Sequence, residues 1–341
     1  MRARYYEGFP CLLAAAALLV AGLAHPARKA QDEQFEEARD LTAKSRLLPS
    51  VGTGVEMLRR DSRGRYGVLA APAQSIRFYA ADGKLLEEIP AGKAKHPLIS
   101  DAVDFDVDAQ GSLYVADRGA NAIKVLDATG KLRQAIPFQA PASLAVLPKG
   151  EIAATGLRGN HLVEIFSADG KLLREFGELD ALAEHEALNR FLNLGRLATD
   201  DAENVYYAFS YMPEPSVRKY DHNGSIAFDV SLKTLEFQPE GMAMRREIVS
   251  QDERGSPPSF KMIVNAFGVD PQSQHVWLAL GSELLELDPE GNRIATYRAI
   301  TPEGVSLRPV SVLLEPQRLV LADNQLGIYE FSRPVQKPLE R

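Results

Sequence analysis

The sequence predicts an all-β fold: a single six-bladed β-propeller built from four-stranded antiparallel blades. Three observations carry that prediction. First, five segments end alike: IRFYAADG at Gly83, IKVLDATG at Gly130, VEIFSADG at Gly170, VRKYDHNG at Gly224 and LLELDPEG at Gly291. In each, a β-branched residue or leucine stands seven positions before the glycine and a large apolar residue four before it. An apolar run, a short polar turn with glycine and a second run read as a β-hairpin. Second, another apolar run precedes each hairpin (YGVLA, LYVAD, EIAAT, NVYYAF, HVWLAL), and a further one precedes most of these, so each unit is a four-stranded meander. Third, successive turn glycines lie 47, 40, 54 and 67 residues apart, and RLVLADNQLGIYEF (318–331) supplies a sixth unit without the glycine turn. Sheets of that length cannot bury both faces alone, so they stack radially as blades.

The elements follow in order. MRARYYEGFPCLLAAAALLVAGLA carries Arg2 and Arg4, then runs apolar from Phe9 to Ala24. This is the layout of a signal peptide over residues 1–24, cleaved after Ala24. Its apolar run of 16 residues is shorter than the roughly 20 a spanning helix needs, and an uncleaved leader would act as an N-terminal anchor. Cys11 is the sole cysteine and lies in this leader, so the mature chain has no disulfide, thiol nucleophile or thiolate metal site. Residues 25–49 read as a helical linker or stalk, because in 32–48 the acids come early, Lys44 and Arg46 come late, and Pro49 follows. The propeller is expected over 50–334, with a C-terminal tail at 335–341. Two insertions interrupt the repeat. Residues 178–194, ahead of Gly195, read as an amphipathic helix, and 231–262 contain SQDERGSPPSF, which reads as a mobile loop. Deleting 251–258 from it is expected to leave the melting temperature nearly unchanged. Each insertion joins the last strand of one blade to the first strand of the next. It therefore shares one end of the channel with the turns between second and third strands, where loop-borne function tends to sit.

LYVADRGANAIKVLDATGKL (113–132) resembles the NHL repeat, whose core runs apolar-Y-V-A-D, a short turn with Asn, then I-x-V-F-D-x-x-G. Residues 102–138 carry the resemblance best, 65–90 and 150–177 share part of it, and the other blades share only its hydrophobic pattern. The resemblance implies a six-bladed propeller of the broader TolB-like and gluconolactonase-like group. It implies no single function, since such folds host many.

Asp117, Asp323 and Asn324 sit in strand-to-strand turns, where Asp and Asn bond nearby backbone, and read as structural turn residues. Arg118 and Arg158 lie in the turns of neighbouring blades, while Arg196 and Arg308 open the first strands of blades 4 and 6. With Asn121, Asn160 and His161 they form the candidate binding set at the channel mouth, and His96 could face the same mouth. Arginine's planar fork suits carboxylates, phosphates and acidic glycans.

No catalytic residue or metal ligand is assigned. HEALN (185–189) has Asn where a zinc-protease helix needs its second His, and VGTGVEM (51–57) lacks the third glycine of a dinucleotide fingerprint. Six-bladed lactone hydrolases of the gluconolactonase and senescence-marker type hold a metal with Glu, Asn and Asp from separate blades. The P-E-G copies here, at 239–241 and 302–304, fall in other blades, and N-G at 223–224 lacks its following Asp, so no ligand carries across.

The net charge of −7 disfavours nucleic acid as a partner. The expected function is that of an exported, periplasmic or extracellular, binding or scaffold propeller. It would engage a protein, a peptide, an acidic glycan or a small anion at the loop-bearing end of the channel. Membrane contact is expected only through an uncleaved leader. No cofactor is predicted. The competing class is a metal-dependent hydrolase or lyase of the lactonase type, which would take a divalent metal such as calcium. The sequence leaves open whether the N-terminal segment or the last residues, VQKPLER, close the ring.

Overall fold

Gly83, Gly130, Gly170, Gly224 and Gly291 have φ between 76° and 85°, a region that favours glycine. Each closes a turn between the third and fourth strands, and the pairing register shifts beside it, as in Val125/Leu126. Aspartates open many of these turns. Asp127, for example, accepts the backbone N–H of Thr129 and of Lys131 at 2.9 and 3.1 Å. The turn chemistry read from the sequence therefore sets the hairpins.

The computed structural model describes residues 29–30, 38–72, 75–92, 97–234, 236–255 and 257–334. The leader (1–24), His96 and the tail (335–341) lie outside them. Six sheets of four antiparallel blade strands form the propeller. Blade 1 runs from Val55–Arg60 to Leu85–Ile89, blade 2 from Ala102–Val107 to Leu132–Pro137, and blade 3 from Pro141–Val146 to Leu172–Glu178. Blade 4 runs from Gly195–Thr199 to Ile226–Ser231 and blade 5 from Ala266–Val269 to Arg293–Ile300. Blade 6 takes Pro309–Glu315, Arg318–Asp323 and Gly327–Ser332, then borrows Ser45–Leu47 as its fourth strand.

That borrowed strand closes the ring: Leu47 pairs with Ile328 and Ser45 with Glu330, antiparallel. The helix expected over 32–48 is corrected over 38–48, since Arg39–Thr42 and Ser45–Leu47 are strands, while 32–37 lie outside the described residues. The reason is tertiary. Leu41 and Ala43 alternate toward the core shared by blades 5 and 6, and the outer blade edges offer unpaired backbone groups. Arg39–Thr42 adds in parallel to the outer strand of blade 5, and Lys29–Ala30 adds in parallel to that of blade 4.

The core is divided among the blade interfaces. Leu69, Ile76 and Phe78 of blade 1 pack with Phe105, Leu113 and Val115 of blade 2. Trp277 stacks on Tyr297 with ring centroids 5.3 Å apart, within the cluster joining blades 5 and 6.

Both insertions carry helices, α1 (Glu186–Leu192) between blades 3 and 4 and α2 (Gln238–Arg254) between blades 4 and 5. The first is shorter than the sequence suggests. The second corrects the mobile-loop reading, because residues 250–254 of SQDERGSPPSF are its last turn and Gly255 caps it in the left-handed conformation. Its buried positions, Gly241, Met244, Ile248 and Gln251, fall on one face of an otherwise polar helix. Leu188 and Leu192 of α1 pack against Met244 and Ile248. No helix among the described residues is long and apolar enough to cross a membrane.

Candidate functional site: the channel and its two ends

The first strand of each blade lines the channel. In blades 1, 2, 3 and 6 the pairing of this strand skips one residue near its start, leaving Glu56, Val103, Ala142 and Val310 as bulged residues. A bulge re-aims its side chain and bends the strand, and all four are half-buried. The residue after the bulge ties one blade to the next. Asp104 accepts from the Ser143 hydroxyl at 2.6 Å and the Leu144 N–H at 3.3 Å, and Ser143 Oγ accepts the Leu197 N–H at 3.1 Å. Blade 4 pairs without a skip from Gly195↔Phe209 to Thr199↔Val205. Gly195 is required there, since a Cβ would lie 2.4 Å from the Tyr207 ring and 2.5 Å from the Ala208 carbonyl oxygen. That close approach fixes the strand that presents Arg196.

At the insertion-bearing end, Glu56 of blade 1 lies within electrostatic reach of Asp101 and Arg118 beside blade 2 and of Arg196 in blade 4. Burial pushes the Glu56 carboxyl above its ordinary value and Asp101 adds to this, while Arg196 and Arg118 oppose it. Arg196 is enclosed by the strands yet keeps contact with the lumen, and it makes no hydrogen bond or ion pair with a described residue. Burial lowers its pKa and neighbouring Arg59 adds to that effect, while Asp104, Tyr211 and Glu56 favour its charge. Tyr211, in the blade 4 turn, lies within electrostatic reach of Arg196 and Arg118, with its ring 4.4 Å from Phe191 of α1. The helical insertions thus hold one wall of the mouth.

The remaining candidates divide. Arg118 is exposed and paired with Asp101 at 3.1 Å. Asn121, at φ 49°, accepts the Ala140 N–H with its side chain at 2.9 Å. Arg158 and Arg308 are exposed, and the Arg308 backbone N–H donates to Asp323 at 2.7 Å. Asn160 accepts from Arg190 of α1 at 3.1 Å. His161 starts the third strand of blade 3, and its Nδ1 is 3.7 Å from Glu175 on the outer strand. It borders a crevice with Leu179, Arg190 and Asn193 that includes none of Glu56, Asp101, Arg118 or Arg196.

Asp117 accepts N–H groups of Ser100, Asp101 and Ala120 and pairs with Lys124 at 2.7 Å. Burial alone would raise its pKa, but the Lys124 ammonium and the backbone N–H groups hold it below the usual range. Asp323 likewise ties Arg308, Gln325 and Leu326, and Asn324 donates to the Val55 carbonyl at 3.2 Å.

Sequence reading missed Glu56, Asp101 and Tyr211. A signal did exist for the first, a charged residue inside an otherwise apolar inner strand, as in VEML (55–58) and AVDFDV (102–107). Among the described residues, no group of three or more His, Cys, Asp or Glu is placed to hold a metal ion. The opposite end of the channel opens into a cavity of about 670 Å³ rimmed by the turns between first and second strands.

No protein-family model and no curated protein matches the chain. Solved structures do resemble it. Virginiamycin B lyase from Staphylococcus aureus aligns with a TM-score of 0.51 at 15% identity, over 83% of this chain and 86% of that one. A streptogramin B lyase aligns at 0.53 and 14% identity, over 84% and 85% of the two chains. The WD40 repeats of RRP9 align at 0.54 and 12% identity, over 87% and 99%. At such identities the likeness speaks to the fold and not to the chemistry. Joined to the six sheets closed by Ser45–Leu47, it identifies the chain as a six-bladed β-propeller with four-stranded blades.

Proposed function

We propose that the protein is exported through its leader and acts as a binding propeller. In this reading an acidic group of a partner, on a protein segment, a peptide, an acidic glycan or a small anion, enters the insertion-bearing end of the channel. The observation that carries the reading is Arg196, an enclosed guanidinium with no hydrogen-bonding partner among the described residues, beside exposed Arg118. A guanidinium in a low-dielectric mouth gains more from an arriving carboxylate than a solvated surface arginine does. Rigid blades hold it in place, so binding loses little ordering entropy.

The test is calorimetric titration and thermal-shift measurement with glucuronate, succinate, inorganic phosphate and a tetraglutamate peptide, on the wild type and on Arg196→Met. At least one anion should bind the wild type and lose tenfold or more in affinity in the variant. No binding by any of them, or equal binding by both proteins, sinks the reading.

A second reading rests on Glu56. A carboxyl raised by burial beside a guanidinium also suits a general acid or base. Turnover of lactones or esters that is abolished in Glu56→Gln, with anion binding intact, would favour catalysis over binding.

A further inference from the structure

The two ends of the channel differ in chemistry. The cavity at the end opposite the insertions is lined by residues of all six first strands and their following turns. At about 670 Å³ it falls within the roughly 300–1,000 Å³ of small-molecule sites. Much of its wall is apolar, with Val146, Ala198, Val269 and Leu313 from four successive blades. The acids along it, by contrast, outnumber the arginines: Asp61, Asp106, Asp108, Asp200, Asp201 and Glu315 against Arg59 and Arg60.

Most of those acids are already engaged. Asp61 ties Arg63 and Arg65. Asp108 ties Gln110, Ser112 and the Tyr114 hydroxyl. Asp200 ties Ala202, Asn204 and the Tyr206 hydroxyl. Glu315 accepts from Tyr66 and Arg318 and pairs with Arg60. Two carboxylates keep spare capacity.

Asp106, inside the cavity, accepts one backbone N–H on each oxygen, from Val107 and Val146, both at 2.9 Å. Its only ion-pair neighbour among the described residues, Arg59, stands 4.0 Å away and is closer to Asp104, at 3.3 Å. Asp201 is exposed on the rim, and its carboxylate makes no hydrogen bond or ion pair with a described residue. A carboxylate oxygen has room for two hydrogen bonds, so Asp106 can accept two more donors from the lumen. Burial pushes the Asp106 carboxyl above its ordinary value despite Arg59 and the two N–H groups, as expected of a charge that lacks compensation.

We infer that this cavity is a binding site for an organic cation, an amine whose ammonium group bonds Asp106 while its apolar body lies against Val146, Ala198, Val269 and Leu313. An ammonium supplies the donors and the charge that Asp106 lacks. A carboxylate ligand would instead meet Asp104 and Asp106 flanking Arg59. The anion-binding reading draws on Arg196, which lies within electrostatic reach of Arg59 and Asp104 but is not part of the lining of this cavity.

Three probes of near-equal shape test it: 2-phenylethylamine, 2-phenylethanol and 3-phenylpropanoate, titrated calorimetrically into the full propeller. The amine should bind saturably in the millimolar range or tighter, with the alcohol and the acid at least tenfold weaker. Asp106→Asn should weaken the amine tenfold or more. Because Asp106→Asn could disturb the strand, Ala198→Phe, which fills the cavity from another blade, provides an independent loss of binding. Absence of saturable amine binding overturns the inference. Equal binding of amine and alcohol, or amine affinity unaffected by Asp106→Asn and Ala198→Phe, overturns it as well.

Discussion

The Ser311 hydroxyl accepts the Leu58 N–H at 3.1 Å and lies 3.3 Å from the Leu58 carbonyl, joining two residues 253 positions apart. It is one of the bonds between the last blade and the first, made from strand to strand on the channel wall as Ser143 joins blade 3 to blade 4. Removing the hydroxyl leaves a buried N–H unpaired. Ser311→Ala should therefore lower stability by about 1–3 kcal/mol in urea unfolding, and an unchanged midpoint would show that the closure does not rely on it.

The closing strand gives a second prediction. A chain starting at residue 44 keeps Ser45–Leu47, whereas one starting at 49 loses both buried leucines, Leu47 and Leu48. Two buried leucine side chains are worth about 3–6 kcal/mol. The longer chain should unfold cooperatively at a higher denaturant midpoint, and the shorter one should be markedly less stable or should associate through the open edge of blade 6. Similar behaviour of the two would show that the ring closes without the strand.

Glu56 makes stability depend on pH in a defined direction. Its folded pKa is raised above 4.5, so the folded state holds the proton more tightly than the unfolded state does. The associated stabilisation is present below the ordinary carboxylate range and is lost as pH rises through the raised folded value. Between pH 4 and neutrality, wild type should therefore lose stability relative to Glu56→Gln. A constant difference between the two unfolding midpoints across that range would contradict the assignment.

Asp252 fastens α2 to the start of α1. Its carboxylate accepts the N–H groups of Glu184 and His185 at 2.7 and 3.0 Å and meets His185 Nδ1 at 2.6 Å. Nearby, Gln251 is buried and bonds Ser259. Deleting 251–258 should accordingly lower the melting temperature, contrary to what a mobile loop would give. Asp252→Ala alone should speed amide exchange across 184–192 and leave the blades protected. Unchanged exchange there would separate the two helices energetically.

Local chemistry was legible in the sequence. The turn glycines, the aspartates that open turns and the period-two runs specified hairpins, and their spacing specified six blades, because each depends on neighbours only a few residues away. Arg118 and Arg196 could also be picked out, as charged residues at strand ends. The roles of residues 38–48 and 238–254 were decided elsewhere. The first belongs to a stretch, 32–48, with a helix-like order of charges, but finds unpaired strand edges on blades 5 and 6. The second is polar around most of its circumference and becomes a helix against α1. Glu56 and Arg196 lie 140 positions apart and share a mouth only because the ring closes, and Asp106 gains its cavity from turns of the other five blades. Sequence periodicity fixes the blade, a local object. Which side chains converge across the channel is set by the order and closure of the ring, and by bulges that re-aim one residue, which the hydrophobic pattern marks only where that residue is charged, as Glu56 is.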